Sequence, residues 1–433
     1  MKILCFDSWT QGACHFVDLV PAFGARGMSL TLLHLGSWGN DPGRPGREAI
    51  GNLAVRDIAS YRDRSLGKVL DEEKPDAVIL LSTLTFAHRA CIRYCRQRSI
   101  PTLLLYHGLE AAQGEFDYKV NHFAHGSFIL SKARKTIQHT LPCYVGALTR
   151  TRAPIRDYFH FLADLLRMAT GKDVLVAPGD ARTTRCCVYA KADIPHAVRK
   201  YGYRDDEVVA VGNPDLMRFG LTQEMVGSQA RCSALTKSEV MYIETGFVSV
   251  GYLFSSVRQF ADHLLMTEKR LADQGMKMLF KYKPHPAEHA EKLATYLRGS
   301  NIELVANADF LGRLLGCSAC IVETTTLAIV PALLGMPLFF ANYGVLGELR
   351  FGPALTSYPR GYVLGDVSNM ADILRRDGKC LDHIALANWI DYNAGPFPAD
   401  DRSIRIAEVV EELVGHRAQS PNTGGSYPCS VLQ

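Results

Sequence analysis

Short apolar runs alternate along the chain with segments in which apolar residues recur every three or four positions. The runs predict buried strands, and the recurring positions predict amphipathic helices. In the first half, strands are predicted at Lys2–Phe6, Ser29–His34, Ala77–Ser82, Thr102–Tyr106, Ser127–Leu130, Asp173–Val176, Cys187–Tyr189 and Val208–Val211. Helices are predicted at His15–Arg26, Ala54–Asp71, Thr85–Gln97 and Pro154–Thr170. Such alternation is typical of a parallel sheet covered by helices on both faces.

A second alternating pattern follows a polar, weakly periodic stretch at Leu216–Lys237. Strands are predicted at Val240–Glu244, Met276–Tyr282, Ile302–Val305, Ala319–Val322 and Pro337–Phe340. Helices are predicted at Ser256–Gln274, Glu288–Arg298, Asp309–Leu315, Thr326–Leu334, Met370–Arg376, Asp382–Tyr392 and Ser403–Val414.

The length of 433 residues favours two domains over one core. We expect a Rossmann-like first domain over 1–220 and a Rossmann-like second domain over 238–381. C-terminal helices over 382–414 and a disordered tail over 415–433 complete the expected organisation. The fold class predicted is α/β, with two doubly wound domains facing across a cleft that holds the ligands.

Composition excludes several classes of protein. Apolar content of 47% and charged content of 21% are those of a globular chain, and a net charge of +4 suits anionic ligands without indicating nucleic-acid binding. No segment reaches the roughly 20 apolar residues that span a bilayer, and the start lacks the layout of a secretion signal. We therefore expect a cytoplasmic protein. Cys317-Ser-Ala-Cys320 has metal-site spacing but enters an apolar strand, so core packing is the preferred interpretation.

The stretch that says most about function is Lys281-Tyr-Lys-Pro-His-Pro286, where a predicted strand ends in a polar loop. Two prolines stiffen this loop around His285, and Lys281 and Lys283 add positive charge. His285 could donate to a donor phosphate and stabilise the leaving group. A surface histidine in a proline-rich turn is the alternative.

A second polar loop lies about forty residues later, at Glu323-Thr324-Thr325-Thr326. Hydroxyls and N–H groups at a helix start suit an anion. Plain N-capping needs one threonine, so three exceed what a cap requires. Because Glu323 would repel a phosphate, a ribose or sugar hydroxyl is its better partner. Together the two loops predict a phosphate site for an activated sugar nucleotide.

Tyr106-His107-Gly108 ends an apolar strand of the first domain. A histidine there can act as a general base near neutral pH. Glu110, Glu115 and Asp117 follow within one loop and are rival bases. A histidine with only a structural role in the turn is the alternative.

Two further loops complete the predicted site. Asp7, Ser8 and His15 lie in the first strand-end loop and could hold an acceptor, and Gly246 and Ser249 could line the donor phosphate. Neither loop matches the sequence fingerprint of a nucleoside-triphosphate site or of a dinucleotide site. No cofactor and no metal are expected.

These motifs resemble those of bacterial GT-B glycosyltransferases that build capsule, lipopolysaccharide or teichoic-type polymers from cytidine-activated donors. The group includes polysialyltransferases, capsule Kdo transferases and CDP-glycerol glycerophosphotransferases. His285-Pro286 resembles its HP motif, Thr324–Thr326 its Ser/Thr motif, Val211-Gly-Asn-Pro214 its domain-closing turn, and Tyr106-His107-Gly108 the HG element of the glycerophosphotransferases.

Two departures from that group matter. The acidic motif of the sialyl and polysialyl enzymes is not evident, so their base has no counterpart here. Glu323 precedes the threonines, where the glycerol-phosphate enzymes have an aspartate–serine pattern.

The resemblance implies a metal-independent transferase that moves a sugar from a nucleotide donor, CMP- or otherwise cytidine-linked, to a surface glycan or glycoconjugate. His285, Lys283, Pro286 and the threonines would hold the donor, and His107, Glu110 or Asp117 would take the acceptor's proton. Peripheral association with the inner membrane would fit such an acceptor. The alternatives are a nucleotide-sugar 2-epimerase, a polyol-phosphate transferase and a non-catalytic GT-B binding protein.

Overall fold

The computed structural model describes residues 1–39, 43–112, 136–169, 179–214, 216, 219–228, 238–247, 253–283, 287–377, 382–397 and 401–419. Within these ranges the chain forms two sheets, and every strand but one runs parallel to its neighbours.

The first sheet is built from apolar runs that are buried on both faces, as parallel sheets require. Its strands are Lys2–Asp7 (β1), Ser29–His34 (β2), Arg47–Ile50 (β3), Leu53–Asp57 (β4), Ala77–Leu80 (β5), Thr102–Leu105 (β6), Arg185–Val188 (β7) and Val208–Ala210 (β8). They lie in the order β3-β4-β2-β1-β5-β6-β7-β8, with β3 antiparallel at the edge.

The second sheet is parallel throughout. Its strands are Glu239–Ile243 (β9), Lys277–Lys281 (β10), Glu303–Val305 (β11), Ala319–Val322 (β12), Leu338–Ala341 (β13) and Gly361–Leu364 (β14). They lie in the order β11-β10-β9-β12-β13-β14. Apart from β3, each sheet places its first strand centrally, builds outward on one side and then on the other, which is the Rossmann order. The predicted pair of Rossmann-like, doubly wound domains is confirmed.

Helices cover both sheets. In chain order they are Cys14–Val17 (α1), Val20–Ala25 (α2), Leu66–Glu73 (α3), Phe86–Gln97 (α4), Leu141–Arg150 (α5), Ile155–Ala169 (α6), Ile194–Tyr201 (α7), Val257–Ala272 (α8), Ala287–Tyr296 (α9), Phe310–Leu315 (α10), Ile329–Leu334 (α11), Pro353–Thr356 (α12), Met370–Asp377 (α13), His383–Asn393 (α14) and Arg402–Gln419 (α15). Polar residues at the predicted N-termini cap several of these helices. The Ser256 hydroxyl, for example, accepts the Gln259 N–H at 3.1 Å before α8.

One sequence prediction is wrong. The helix expected at Ala54–Asp71 is the strand β4, then a single 3₁₀ turn, and only then α3. Inward and outward positions alternate along Leu53–Asp57, which is strand periodicity, and β4 pairs with β2 on one side and β3 on the other. The strands expected at Ser127–Leu130 and Asp173–Val176 lie outside the described residues.

The last helix returns to the first domain. Ile406 and Val410 are buried in the same cluster as Ile3, and Arg26 bonds Glu408 at 2.9 Å and Glu411 at 3.0 Å. α15 continues to Gln419, five residues beyond the predicted end at Val414. The rest of the expected tail lies outside the described residues.

The carboxyl edges of the two sheets meet. The turn Glu110–Ala112 follows β6 and contacts α12, which comes after β13. One apolar cluster runs through both domains there, with Ala112 and Leu355 each fully buried. Loops at the strand ends of both domains therefore lie on the same side of the molecule.

Candidate functional site

The strand order of the second sheet indicates where in that sheet a ligand is expected to bind. In a doubly wound sheet the crevice opens between the two central strands whose connections run in opposite directions. Here these are β9 and β12, which pair with Ile243 beside Val322. The loops that begin at Glu244 and Glu323 therefore leave the sheet side by side.

Two buried glutamates join the strand-end loops. Glu323 has no exposed surface, and its carboxylate accepts the Tyr242 O–H at 2.9 Å and the Thr245 N–H at 2.6 Å. Glu244 accepts the Lys283 N–H at 2.6 Å. The loops after β9, β10 and β12 are thus connected by hydrogen bonds that lie beneath their surface.

The electrostatics of this pair follow from burial. Desolvation, and then the neighbouring Glu244 carboxylate, raise the pKa of Glu323 to about 8. Beyond Tyr242, the His263 ring lies 3.2 Å from the same hydroxyl, and burial lowers the pKa of His263 to about 4. Burial therefore favours the protonated form of Glu323 and the neutral form of His263. Glu323 faces inward, so it positions the Thr245 loop and does not itself reach a ligand in this conformation.

The three threonines have different environments. The Thr325 hydroxyl accepts the Leu327 N–H at 3.3 Å and is the plain N-cap. The Thr324 side chain is buried, and its hydroxyl has no hydrogen-bond partner within the described ranges. Because a buried hydroxyl without a partner is costly, Thr324 is the one of these three threonines whose hydroxyl a ligand could satisfy. Thr326 begins the 3₁₀ turn and is half-buried.

Gly246 and Lys283 lie against each other. Gly246 has φ +88, and a Cβ there would lie 2.9 Å from the Lys283 Cδ. The positive φ favours glycine at this position, and its missing side chain leaves room for Lys283. Lys283 is exposed, whereas Lys281 is buried and its ammonium bonds the Tyr282 carbonyl at 2.8 Å. Lys283 alone of the two presents its charge to solvent.

Several predicted donor and base residues lie outside the described ranges: His285, Pro286, Ser249, Glu115 and Asp117. Their roles stay predictions from the sequence.

In the first domain, two predicted histidines come together. The His15 and His107 rings are 5.7 Å apart between centroids, edge to face. His107 is exposed and His15 half-buried. The Asp7 carboxylate accepts the Ser8 N–H at 2.6 Å, lies 3.7 Å from the His88 Nε2 and packs on Gly12. The pairing of His15 with His107 joins an expected acceptor residue to an expected base.

Glu110 has a partner that the sequence did not indicate. The His196 Nε2 lies 4.0 Å from its carboxylate, and the His196 Nδ1 lies 3.3 Å from the Tyr106 hydroxyl. Burial lowers the pKa of His196. The fully buried Asp193 accepts the Ala111 N–H at 2.8 Å, and burial raises the pKa of Asp193 to about 7. This group lies at the contact between the domains.

His196 could not be identified from the sequence because it lies in α7, a helix whose pattern gave no prediction. It is also about ninety positions from Glu110. The only local signal was the Asp193-Ile-Pro helix start.

The described residues contain neither a cluster of metal ligands nor a membrane-spanning helix. No three His, Cys, Asp or Glu side chains there come together as a metal site requires, and Cys317 and Cys320 form no disulfide and are buried in the core. No helix in those ranges is long and apolar enough to cross a bilayer.

Comparison with known proteins gives only distant likenesses. No protein-family model matches the chain, and no curated protein does. Among solved structures, the chain is similar to S. aureus MnaA with UDP at 14% identity and TM-score 0.49, over 98% of this chain and all of the other. It is similar to a variant of the wall teichoic acid polymerase TagF at 10% identity and TM-score 0.49, over 97% and 90%.

A third likeness is to CalG4, the calicheamicin glycosyltransferase, at 14% identity and TM-score 0.48, over 96% of this chain and 98% of the other. At such identities and scores, these likenesses identify neither a reaction nor a substrate. What is established is two Rossmann-like domains whose strand-end loops meet on one side.

Proposed function

We propose that the protein is a metal-independent glycosyltransferase that moves a sugar from a nucleotide-activated donor to a surface glycan or glycoconjugate. The observation that carries the proposal is the meeting of three strand-end loops at the switch point of the second sheet. Lys283 is exposed on these loops, Gly246 packs against it, and the buried Thr324 hydroxyl lacks a hydrogen-bond partner among the described residues.

These groups suit the phosphate of a nucleotide sugar. Lys283 supplies an exposed positive charge, and Gly246 allows close approach to the backbone. The Thr324 hydroxyl gains the partner that it otherwise lacks. His285, two residues beyond Lys283, would donate to the same phosphate and stabilise charge on the leaving group. Cytidine-linked donors are proposed first, because of the resemblance of the HP and threonine motifs.

The acceptor would approach from the first domain, where two candidate bases lie. His107 is exposed beside His15, and Glu110 lies beside His196. Either could take a hydroxyl proton as the glycosidic bond forms. Glu110 is on the turn that contacts α12 of the second domain.

A thermal-shift screen with CMP, CDP, UDP and GDP tests donor binding. A nucleotide that binds the folded protein raises its Tm by mass action, so the preferred base is named directly. Lys283→Ala should reduce the shift. Lys277→Ala is the matched control, because Lys277 begins the same strand at the opposite edge, paired with Glu303. If no nucleotide raises the Tm, or if both variants lose the shift equally, the proposed donor site is wrong.

Product analysis then tests the reaction. Acceptor-dependent release of nucleotide, with sugar joined to the acceptor, is the expected result. Free epimerised nucleotide sugar without acceptor would instead indicate an epimerase, and a phosphorus-containing link would indicate polyol-phosphate transfer.

A further inference from the structure

The first sheet has a switch point of its own. Its first strand, β1, lies between β2 on one side and β5 on the other, and the chain fills these two sides in turn. β1 and β5 pair with Phe6 beside Leu80, so the loops that follow the two strands leave the sheet side by side. A doubly wound sheet opens a ligand-binding crevice at such a point.

A carboxylate and a buried imidazole face each other where these two loops begin. Asp7 ends β1, and His88 lies in the first turn of α4, directly after the β5 loop. The His88 Nε2 lies 3.7 Å from the Asp7 Oδ1, which is too long for a hydrogen bond. His88 is 1% exposed, and its Nε2 has no hydrogen-bond partner within the described ranges. The protein thus leaves one buried polar atom at the crevice without a hydrogen bond.

The His88 ring turns an N–H toward Asp7. Its Nδ1 lies 2.6 Å from the Thr85 hydroxyl, which can donate to it and leave the ring proton on Nε2. The opposite tautomer would point a lone pair at the carboxylate, which is repulsive. An N–H beside a carboxylate offers one donor and one acceptor, and a hydroxyl group is the ligand group that can use both.

The Asp7 carboxylate keeps capacity for further hydrogen-bond donors. It accepts the Ser8 N–H at 2.6 Å, and the Asp7 side chain is 15% exposed. Among the described residues, no arginine or lysine forms an ion pair with it. Ligand hydroxyls that donate to the carboxylate are therefore favoured, whereas a phosphate or carboxylate ligand would meet an uncompensated negative charge.

Two large apolar side chains are exposed on the same two loops. Trp9 follows Asp7 by two residues and is 46% exposed, and Leu84 lies on the loop after β5 and is 40% exposed. A globular protein normally buries most of a tryptophan. Aromatic surface with a few polar groups is the usual lining of a small-molecule site. A sugar ring suits it, because its C–H face packs on an aromatic ring while its hydroxyls bond polar groups.

We propose that this crevice, the Asp7 crevice, binds a neutral sugar ring, with hydroxyls on Asp7 and the C–H face on Trp9. That the sugar belongs to the acceptor rests on the proposed glycosyl transfer, whereas the binding of the ring does not. A neutral ring is not what the family resemblance implies, since polymers of sialic acid or glycerol phosphate carry a negative charge on every unit.

Saturation-transfer NMR with methyl glycosides tests the Asp7 crevice directly. The neutral probes are the methyl glycosides of glucose, galactose, mannose and N-acetylglucosamine, and the matched anionic probes are the uronides of the first three. The full chain should bind at least one neutral glycoside about fivefold or more tightly than its uronide, because the uronide places a carboxylate near Asp7.

Asp7→Asn keeps the shape of the side chain and removes its charge. The preference for the neutral glycoside over its uronide should narrow about fivefold, because the charged hydrogen bond and the repulsion of the uronide are both lost. A merely structural role for Asp7 would leave this ratio unchanged, so an unchanged ratio contradicts the proposal.

Two further variants have matched controls. Gly12→Ala should weaken binding with the charge in place, because a Cβ there would lie 2.1 Å from the Asp7 Oδ2 and displace the carboxylate. Gly24→Ala should not, since a Cβ at Gly24 meets no atom within 4 Å. Trp9→Ala should weaken binding of the neutral glycoside about fivefold. Tyr392→Ala, at a side chain 47% exposed on α14, should leave it unchanged.

The proposal is wrong if no neutral glycoside binds, if the uronides bind as tightly, or if Gly12→Ala and Trp9→Ala bind like the unchanged chain. Glycoside binding without any nucleotide-induced Tm shift would support the sugar site and remove the proposed transferase reaction. A nucleotide-induced shift without glycoside binding would leave the donor site in place and overturn the sugar site.

Discussion

The carboxylate of Glu323 accepts the backbone N–H of Thr245 at 2.6 Å. This bond joins the ends of the two central strands of the second sheet, β9 and β12, at the point where a doubly wound sheet binds ligands. Neither residue needs to touch a ligand for the bond to matter, because it fixes the separation of the two loops that would hold one.

Glu323 should make stability depend on pH. Its pKa is about 8 in the folded protein and near 4.5 in the unfolded chain, so the folded state holds the proton more tightly. The stabilisation is fully present below pH 4.5 and is lost as the pH rises through 8. Glu323→Gln keeps the shape but cannot ionise. Relative to the wild type, the free energy of unfolding of the Gln variant should rise by about 2–3 kcal/mol from pH 5.5 to 7.5.

Urea unfolding of both proteins at the two pH values measures this difference. A constant difference would mean that Glu323 titrates normally, and the account of the buried pair would then fail.

Thr324→Val should weaken nucleotide binding without lowering the free energy of unfolding. The Thr324 hydroxyl has no partner within the described chain, so replacing it with a methyl group should leave the free energy of unfolding unchanged or slightly higher. If the hydroxyl bonds the donor, nucleotide affinity should fall about five- to tenfold, the equivalent of one neutral hydrogen bond. Isothermal titration and urea unfolding give the two quantities.

Thr267→Val is the control for that experiment, because its hydroxyl bonds the Tyr343 hydroxyl at 3.1 Å and the His263 carbonyl at 2.9 Å. It should lose stability by about 1 kcal/mol and keep its nucleotide affinity. The opposite pattern for the two threonines would remove Thr324 from the site.

His196→Asn should reveal whether Glu110 takes part in turnover. Without the imidazole 4.0 Å away, the Glu110 carboxylate loses its nearest described partner, so turnover should fall about tenfold or more while the nucleotide-induced Tm shift persists. His383→Asn, at an exposed histidine, should change neither. Normal turnover in His196→Asn would leave His107 as the candidate base.

His285→Ala should reduce turnover by about a hundredfold or more and leave the Tm unchanged, because a preorganised donor to the leaving group is lost. His289→Ala, four positions later on α9, is the comparison. If both variants turn over like wild type, His285 has no part in the mechanism.

Much of the fold follows from local pattern. The strands Ser29–His34 and Ala319–Val322 were predicted with the observed ends because each is an apolar run bounded by polar or turn residues. β14 was missed because it is short and lies at the sheet edge, with Val363 pointing to solvent. The helix predicted at Ala54–Asp71 ran across β4, whose alternating burial over Leu53–Asp57 is strand periodicity, and reached α3 only at its end.

The sequence predicted which loops form the candidate site, but it did not predict the side-chain contacts within and between those loops. Strand ends identified Gly246, Lys283 and the threonines, since parallel strands bring their carboxyl ends to one edge. That Thr325 alone caps the helix, that Glu323 turns inward, and that His196 joins Glu110 depend on packing between segments distant in sequence. The sequence offers no signal for such packing.

Hydrogen exchange with and without nucleotide tests the central claim most directly, because it reports on backbone amides of the proposed donor loops. With the nucleotide that raises the Tm most, exchange should slow at Thr245, Gly246 and the amides of Thr324–Leu327, and remain unchanged in the exposed helix α6. Protection confined to the first domain, or absent from both of these loops, would contradict the proposed donor site.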